Sequence, residues 1–160
     1  MGEILLTGYV SKSRAIDVYD KISDFKNYSG YVDIVREVTV EEITSKHSIS
    51  TWKVDFENGI LCWKENDYFK HEELRIDFEK CEGDIEELTG FWSVSQEDEG
   101  VIVTFKAKYN LGISMLEDIL DPIAGEILAH TISEILKGIL EEIELSPPKI
   151  QTIALEEETI

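Results

Sequence analysis

With 160 residues, the chain has the length of one domain and can bury roughly 70% of the surface it exposes when unfolded. Hydrophobic residues at 42% and charged residues at 31% exclude a disordered body. A formal net charge of −19 repels phosphate backbones and anionic lipid, which argues against nucleic acid and membrane surfaces as partners.

Residues 3–10, EILLTGYV, read as a strand. Ser13 is placed to cap a helix through Ala15, Ile16, Val18, Tyr19 and Ile22, and Asp24 restarts a short second helix before Tyr28. From Val35 to Tyr109 the hydrophobic pattern has period two, broken by turn signals at Thr44-Ser45, Asn58-Gly59, Lys70 to Glu73, Cys81 to Asp84 and Glu97 to Gly100. That spacing predicts six consecutive antiparallel strands. Ser114 to Glu117 forms a capping box and Asp121-Pro122 a second helix start, ahead of a helix of about 23 residues, about 35 Å long. It is expected to stop before Ser146-Pro147-Pro148. Residues 1–145 are thus expected to form one α+β domain and residues 146–160 a flexible C-terminal tail.

One helix cannot cover seven flat strands, so the sheet must curl around it and enclose space. Steps of 100° along the last helix put Glu126, His130, Ser133, Glu134, Lys137 and Glu141 on a solvent-facing arc. On the apolar side Ala124, Thr131 and Gly138 form a seam of small residues flanked by Leu120, Ile127, Leu128 and Ile135. Such a seam is either a close helix-to-sheet contact or the floor of a cavity.

Asn58-Gly59 reads as a two-residue type I′ turn with Gly59 at positive φ, which sets a register. Counting from it, Phe56 opposes Leu61, Val54 opposes Trp63, Trp52 opposes Glu65 and Ser50 opposes Asp67 on the concave face. Alternation adds Leu74, Ile76 and Phe78, then Leu88, Gly90, Trp92 and Val94, then Val101, Val103, Phe105, Ala107 and Tyr109 to the same face, with Gly90 and Ala107 leaving empty volume. Several Trp and Tyr side chains on one surface carry polar atoms that need partners, which suits an amphiphilic ligand better than a dry core.

Cys62 and Cys81 are expected to be reduced thiols, and His47, His71 and His130 are widely separated. No zinc, triad, P-loop or dinucleotide motif is present, so neither a metal nor an organic cofactor is expected. No apolar run reaches the roughly 20 residues of a membrane span, and Met1-Gly2-Glu3-Ile4 lacks signal-peptide character. The expected compartment is the cytoplasm.

In ISDFKNYSGYVDIVREVTV, the pair around GILCWKENDY, GDIEELTGFWSV followed by GVIVTFKAKYNLG, and the long last helix, the chain resembles the START-like, or helix-grip, superfamily. Within it the likeness is to the polyketide cyclase/dehydrase and coenzyme Q-binding branch. The resemblance implies a seven-stranded curled antiparallel sheet around the C-terminal helix and an internal cavity for a hydrophobic molecule. The small aromatase/cyclases of that branch fold a poly-β-ketone chain and promote aldol closure with loss of water. There the strand after the hairpin turn brings Trp, Ser and Arg into the pocket. Here the matching strand offers Leu61, Trp63, Glu65 and Asp67, so an acidic residue stands where Arg is expected. A Tyr often found before the second strand has no match near Val35, although Tyr28 and Tyr31 lie just upstream.

Glu65 and Asp67 stand two apart on one strand, with Cα atoms about 7 Å apart. Beside Trp52 and Trp63 they either repel and desolvate one another, supplying a base and an acid, or lie at a wet rim. The leading expectation is a cofactor-independent cyclase, aromatase or dehydratase with Glu65 and Asp67 as catalytic groups. Tyr28, Tyr31, Trp52, Trp63, Phe78, Leu88, Trp92, Phe105, Tyr109 and Thr131 are expected to bind its hydrophobic poly-carbonyl substrate. A non-catalytic lipid, quinone or isoprenoid carrier is the second reading, and a chaperone-activator-type interaction module the third. Buried polar groups in the cavity favour the first over the second, and a nearly filled, dry cavity favours the third. An acyl carrier protein is an implied source of substrate, and the protein is expected to be a monomer or homodimer.

Overall fold

The computed structural model describes residues 2–56, 59–112 and 121–152, with the side chains of residues 121–123 and 152 outside that description. Strand β1 (Gly2–Ser11) alternates strictly, burying Ile4, Leu6 and Val10. Helix α1 (Ala15–Ser23) buries Ala15, Val18, Tyr19 and Ile22, the apolar positions of its sequence. Ser13 does not cap it: its hydroxyl donates to the Ser11 carbonyl at 3.1 Å, and Arg14 occupies the N-cap. A 3₁₀ turn (Phe25–Asn27) and the four-residue α2 (Tyr28–Tyr31) complete the first helical layer.

The strands are β2 (Val35–Thr44), β3 (His47–Phe56), β4 (Gly59–Lys70), β5 (Arg75–Gly83), β6 (Glu87–Glu97) and β7 (Gly100–Asn110), with turns where the sequence signals them. After α3 (Asp121–Ile139), β8 (Glu144–Leu145) and β9 (Lys149–Thr152) complete the sheet. Its order is β2-β3-β4-β5-β6-β7-β1-β8, with β9 also on β1 and every pair antiparallel. The curled sheet and C-terminal helix form the expected helix grip, with nine strands in place of seven.

Both additional strands come from the end of the chain. α3 stops at Ile139 instead of running up to Ser146, because the chain turns to bury Ile143 over Gly8. A Cβ on Gly8 would lie 2.6 Å from Ile143 Cδ1, so the glycine permits that approach. Leu145 then pairs with Gly8, and Lys149 to Thr152 pair with Leu5 to Gly2. The segment expected to be a flexible tail is therefore paired as far as Thr152, and residues 153–160 lie outside the described residues. So does the capping box at Ser114.

The β3–β4 register differs from expectation by two residues. Phe56 pairs with Gly59, Val54 with Leu61, Trp52 with Trp63 and Ser50 with Glu65. The connecting residues 57–58 lie outside the described residues, yet the pairing makes Gly59 the first residue of β4. It is absent from the glycines at positive φ, which are Gly83 and Gly112. A two-residue shift preserves alternation, which is why the concave face keeps its expected membership. The gap expected at Gly90 is closed: a Cβ there would lie 2.0 Å from the Lys106 carbonyl and 2.9 Å from Phe78 Cζ.

Candidate functional site

Trp52 on β3 and Trp63 on β4 form a cross-strand pair, and their rings stack at 5.8 Å and 3°. The first helical layer closes over them: Phe25 and Tyr28 meet Trp52 edge-on at 5.3 and 5.5 Å. Gly83, with φ of +118°, lets the end of β5 approach Trp63, where a Cβ would lie 2.5 Å from Trp63 Cα. Asp84 then locks the junction, its N–H donating to the Cys62 carbonyl at 2.8 Å and its Oδ2 accepting from the Cys62 N–H at 2.9 Å.

Glu65 and Asp67 lie beside this aromatic pair, both buried, at 4% and 0% relative exposure. That decides against the wet rim. Trp63 Nε1 donates to Glu65 Oε1 at 2.8 Å. Ser50 donates its hydroxyl to Asp67 Oδ2 and accepts from Trp52 Nε1 at 2.8 Å. Asp67 Oδ1 is buried without a hydrogen-bond partner, and the Glu65 carboxyl interacts with the Asp67 side chain. Burial, then the Asp67 charge, holds Glu65 well above its ordinary value of 4.5. Burial also raises Asp67 from 3.8, opposed by hydrogen bonds from Glu65 and Ser50 and by His47 nearby. Burial and the neighbouring carboxyl thus both favour the neutral, protonated form of Glu65. Tyr28 is driven well above 10.0, first by burial and then by Asp67, and its hydroxyl donates to the Ile22 carbonyl.

A cavity with about 50 Å³ of free volume lies between this cluster and α3. Of the expected residues, Tyr28, Trp52, Trp63, Glu65, Phe78, Leu88, Trp92 and Phe105 line it. Asp67 does not; it sits behind Glu65 as the carboxyl's partner. Tyr31 is 62% exposed, at a surface groove between α1 and the end of α3. The ring of Tyr109 packs between Gly2 and Gly125, away from the cavity. Thr131 donates to the Ile127 carbonyl at 2.9 Å and faces an outer groove with Asp55, Glu126, His130 and Glu134.

The cavity floor is Leu128, Ile132 and Ile135, with Ile85 at one end. The small-residue seam is instead a packing device: a Cβ on Gly138 would lie 2.5 Å from Val32 Cγ2 and 3.0 Å from the Tyr31 carbonyl, so α2 rests on α3 there. Leu128 and Ile135 are visible in the sequence as flanks of the seam, whereas Ile85 falls just past a turn, where alternation gives no face. The volume is far below the roughly 300–1,000 Å³ of ligand pockets, so a larger ligand enters only by displacing lining side chains.

A family model for polyketide cyclase/dehydrase and lipid transport proteins matches residues 13–135. No curated protein matches the chain. Among solved structures, TTHA0849 from Thermus thermophilus is 24% identical over 88% of this chain and 95% of its own, with a TM-score of 0.80. The Zhui aromatase/cyclase from Streptomyces sp. R1128 is 16% identical over 88% and 93%, TM-score 0.67. A START superfamily protein from Mycobacterium smegmatis is 13% identical over 88% and 98%, TM-score 0.73. At these identities the likeness establishes the fold.

Proposed function

Because the chain belongs to the polyketide cyclase/dehydrase and lipid transport family, we propose that it encloses a hydrophobic carbonyl compound and promotes its aldol cyclisation or dehydration by proton transfer at Glu65. The observation that carries this reading is a pair of neighbouring buried carboxyls with one member on the wall of an aromatic cavity. A buried carboxyl on the cavity wall favours this reading over a non-catalytic carrier, whose walls need only be apolar.

In the proposed step the Glu65 proton moves to Asp67, leaving Glu65 as the carboxylate that takes the proton α to a substrate carbonyl. Glu65 then delivers a proton to the departing β-hydroxyl, a C=C bond forms, water leaves, and the pair recovers its starting charge. Asp67 is a positioning residue that stores the proton, and Ser50 and Trp52 hold it in place. Trp63 orients Glu65 through its Nε1–H.

Two measurements test the proposal. Solvent extraction of the purified protein with mass spectrometry should recover a hydrophobic carbonyl or hydroxy-carbonyl compound. With a β-hydroxy ketone as substrate, Glu65→Gln should lose about 10²- to 10⁴-fold in turnover while substrate binding is kept. Turnover equal to wild type in that variant removes Glu65 from the chemistry, and an absence of turnover in wild type with tight binding leaves the carrier reading.

A further inference from the structure

The indole and phenol donors on the cavity wall are engaged within the protein, with one exception. Trp52 Nε1–H donates to Ser50 and Trp63 Nε1–H to Glu65, each at 2.8 Å, and the Tyr28 hydroxyl donates to the Ile22 carbonyl. Trp92 on β6 also lines the cavity and is 6% exposed, yet its Nε1–H has no hydrogen-bond partner among the described residues. Buried indole N–H groups ordinarily find one. Among the described residues Asp67 Oδ1 alone is both sealed from water and unpartnered. The Trp92 N–H is therefore not sealed: it borders space that a water-sized group can enter, and Trp92 lines the cavity and neither surface groove.

Trp92 stands well away from Glu65. Its ladder partner on β5 is Ile76, four residues from Lys80, the partner of Glu65, and β5 runs between the two strands. At about 3.3 Å per residue and about 4.8 Å per strand spacing, the two Cα atoms are on the order of 15 Å apart. Phe78 lies between them, paired with Asp67 on one side and Gly90 on the other, so the wall that joins the two polar groups is apolar. We infer that Trp92 is a specificity-determining residue whose N–H takes an acceptor oxygen of the ligand at the end of the cavity away from Glu65, so that the cavity selects a chain with oxygen functions at both ends. The inference rests on the reading of the cavity as the ligand site and narrows the carbonyl substrate to that class. A ligand that covers the indole with hydrocarbon strips its N–H of water and returns nothing, and a site with such a donor discriminates against the analogue that lacks the acceptor.

The experiment uses heptane-2,6-dione and 6-methylhept-6-en-2-one, which share an outline but differ in that a CH₂ group replaces one oxygen. Binding is read from the indole signals of a ¹H–¹⁵N spectrum. All three tryptophans of the chain line the cavity, so every indole signal reports on it. Trp52→Phe and Trp63→Phe assign two of the signals and leave the third to Trp92. The dione should move the Trp92 indole proton downfield, the mark of a new hydrogen bond, while the Trp52 and Trp63 N–H groups, already bonded, shift less. The ratio of dione to enone affinity should fall by about tenfold or more in Trp92→Phe. The enone loses little in that variant, because its single oxygen can be placed at the Glu65 end.

A dione that shifts the Trp52 or Trp63 signal without moving Trp92 downfield occupies the cavity and overturns the inference, as does an unchanged affinity ratio in Trp92→Phe. Should Trp92→Phe fold poorly, the wild-type spectrum alone decides. The turnover of Glu65→Gln keeps the two readings apart. Lost turnover there with a silent Trp92 removes this inference and leaves the chemistry at Glu65. A downfield Trp92 signal in a wild-type protein that turns nothing over supports the inference and removes the chemistry. Silence of all three indoles towards both probes refutes the inference and the reading of the cavity beneath it.

Discussion

Glu65 binds its proton more tightly in the folded chain than in the unfolded one, since burial and Asp67 both raise its value above 4.5. Its contribution to stability is therefore fully present below the unfolded value and declines as the pH rises towards the folded one. Across that window one extra proton on the folded state corresponds to a slope of about 1.4 kcal/mol per pH unit. Glu65→Gln removes the titration with little change in shape, because the amide can still accept from Trp63 and donate to Asp67 Oδ1. The assay is thermal unfolding of both proteins from pH 4.5 to 8. For 160 residues, the wild-type melting temperature should fall relative to the variant by about 3 to 6 °C per pH unit across the window. Carboxylates outside the Glu65–Asp67 pair are common to the two proteins and cancel in the difference, which therefore reports the pair. Parallel curves would mean that Glu65 titrates as an exposed glutamate does, and the raised, protonated Glu65 would then have to be abandoned.

Gly90→Ala should destabilise the fold by about 1 to 3 kcal/mol or more, since the added methyl meets the Lys106 carbonyl and the Phe78 ring; an unchanged denaturation midpoint contradicts the packing described. Gly138→Leu should lower stability by forcing α2 from α3 while leaving ligand affinity at the cavity intact in the folded fraction, and a selective loss of affinity would restore the seam as cavity floor. Gly59→Val should cost less than about 0.5 kcal/mol, because no positive φ is required and the nearest described neighbour of a new Cβ, the Phe56 carbonyl, is 4.0 Å away. A large loss on melting would revive the type I′ turn. Tyr28→Phe should cost about 1 to 3 kcal/mol by leaving the buried Ile22 carbonyl without its donor, read from urea unfolding.

Period-two patterning carried most of the fold, because a sheet with one buried face writes its inner residues at every second position. The same parity placed Trp52, Trp63 and Glu65 on the concave face even though the hairpin register is offset by two. Parity says nothing about depth, however. Asp67 shares the face of Glu65 but lies behind it, and Tyr109 shares the face of Phe105 but packs between Gly2 and Gly125. Those distinctions depend on how far each strand curls and on which helix crosses above it. Thr131 and Gly138 misled for a related reason: a small residue marks a near approach, and whether the neighbour is a ligand, a strand or α2 is settled only in three dimensions. The two C-terminal strands escaped notice because a four-residue strand after Pro147-Pro148 has too few positions to show alternation.

Strand β1 lies between partners that come late in the sequence. On one side Gly2 faces Tyr109, on the other it faces Thr152, and Glu3 and Gln151, joined by a 3.0 Å side-chain hydrogen bond, stand 148 residues apart. Hairpins such as β3–β4 and β6–β7 need only a short loop to close. β1, by contrast, cannot exchange water for its ladder partners until almost all of the chain has been brought together, and that loop entropy is met before any bond rewards it. Its docking should thus be the slow, final event of refolding. Until it occurs, the β7 edge stays unpaired, a template for association with other copies, so dilute refolding should outperform concentrated refolding.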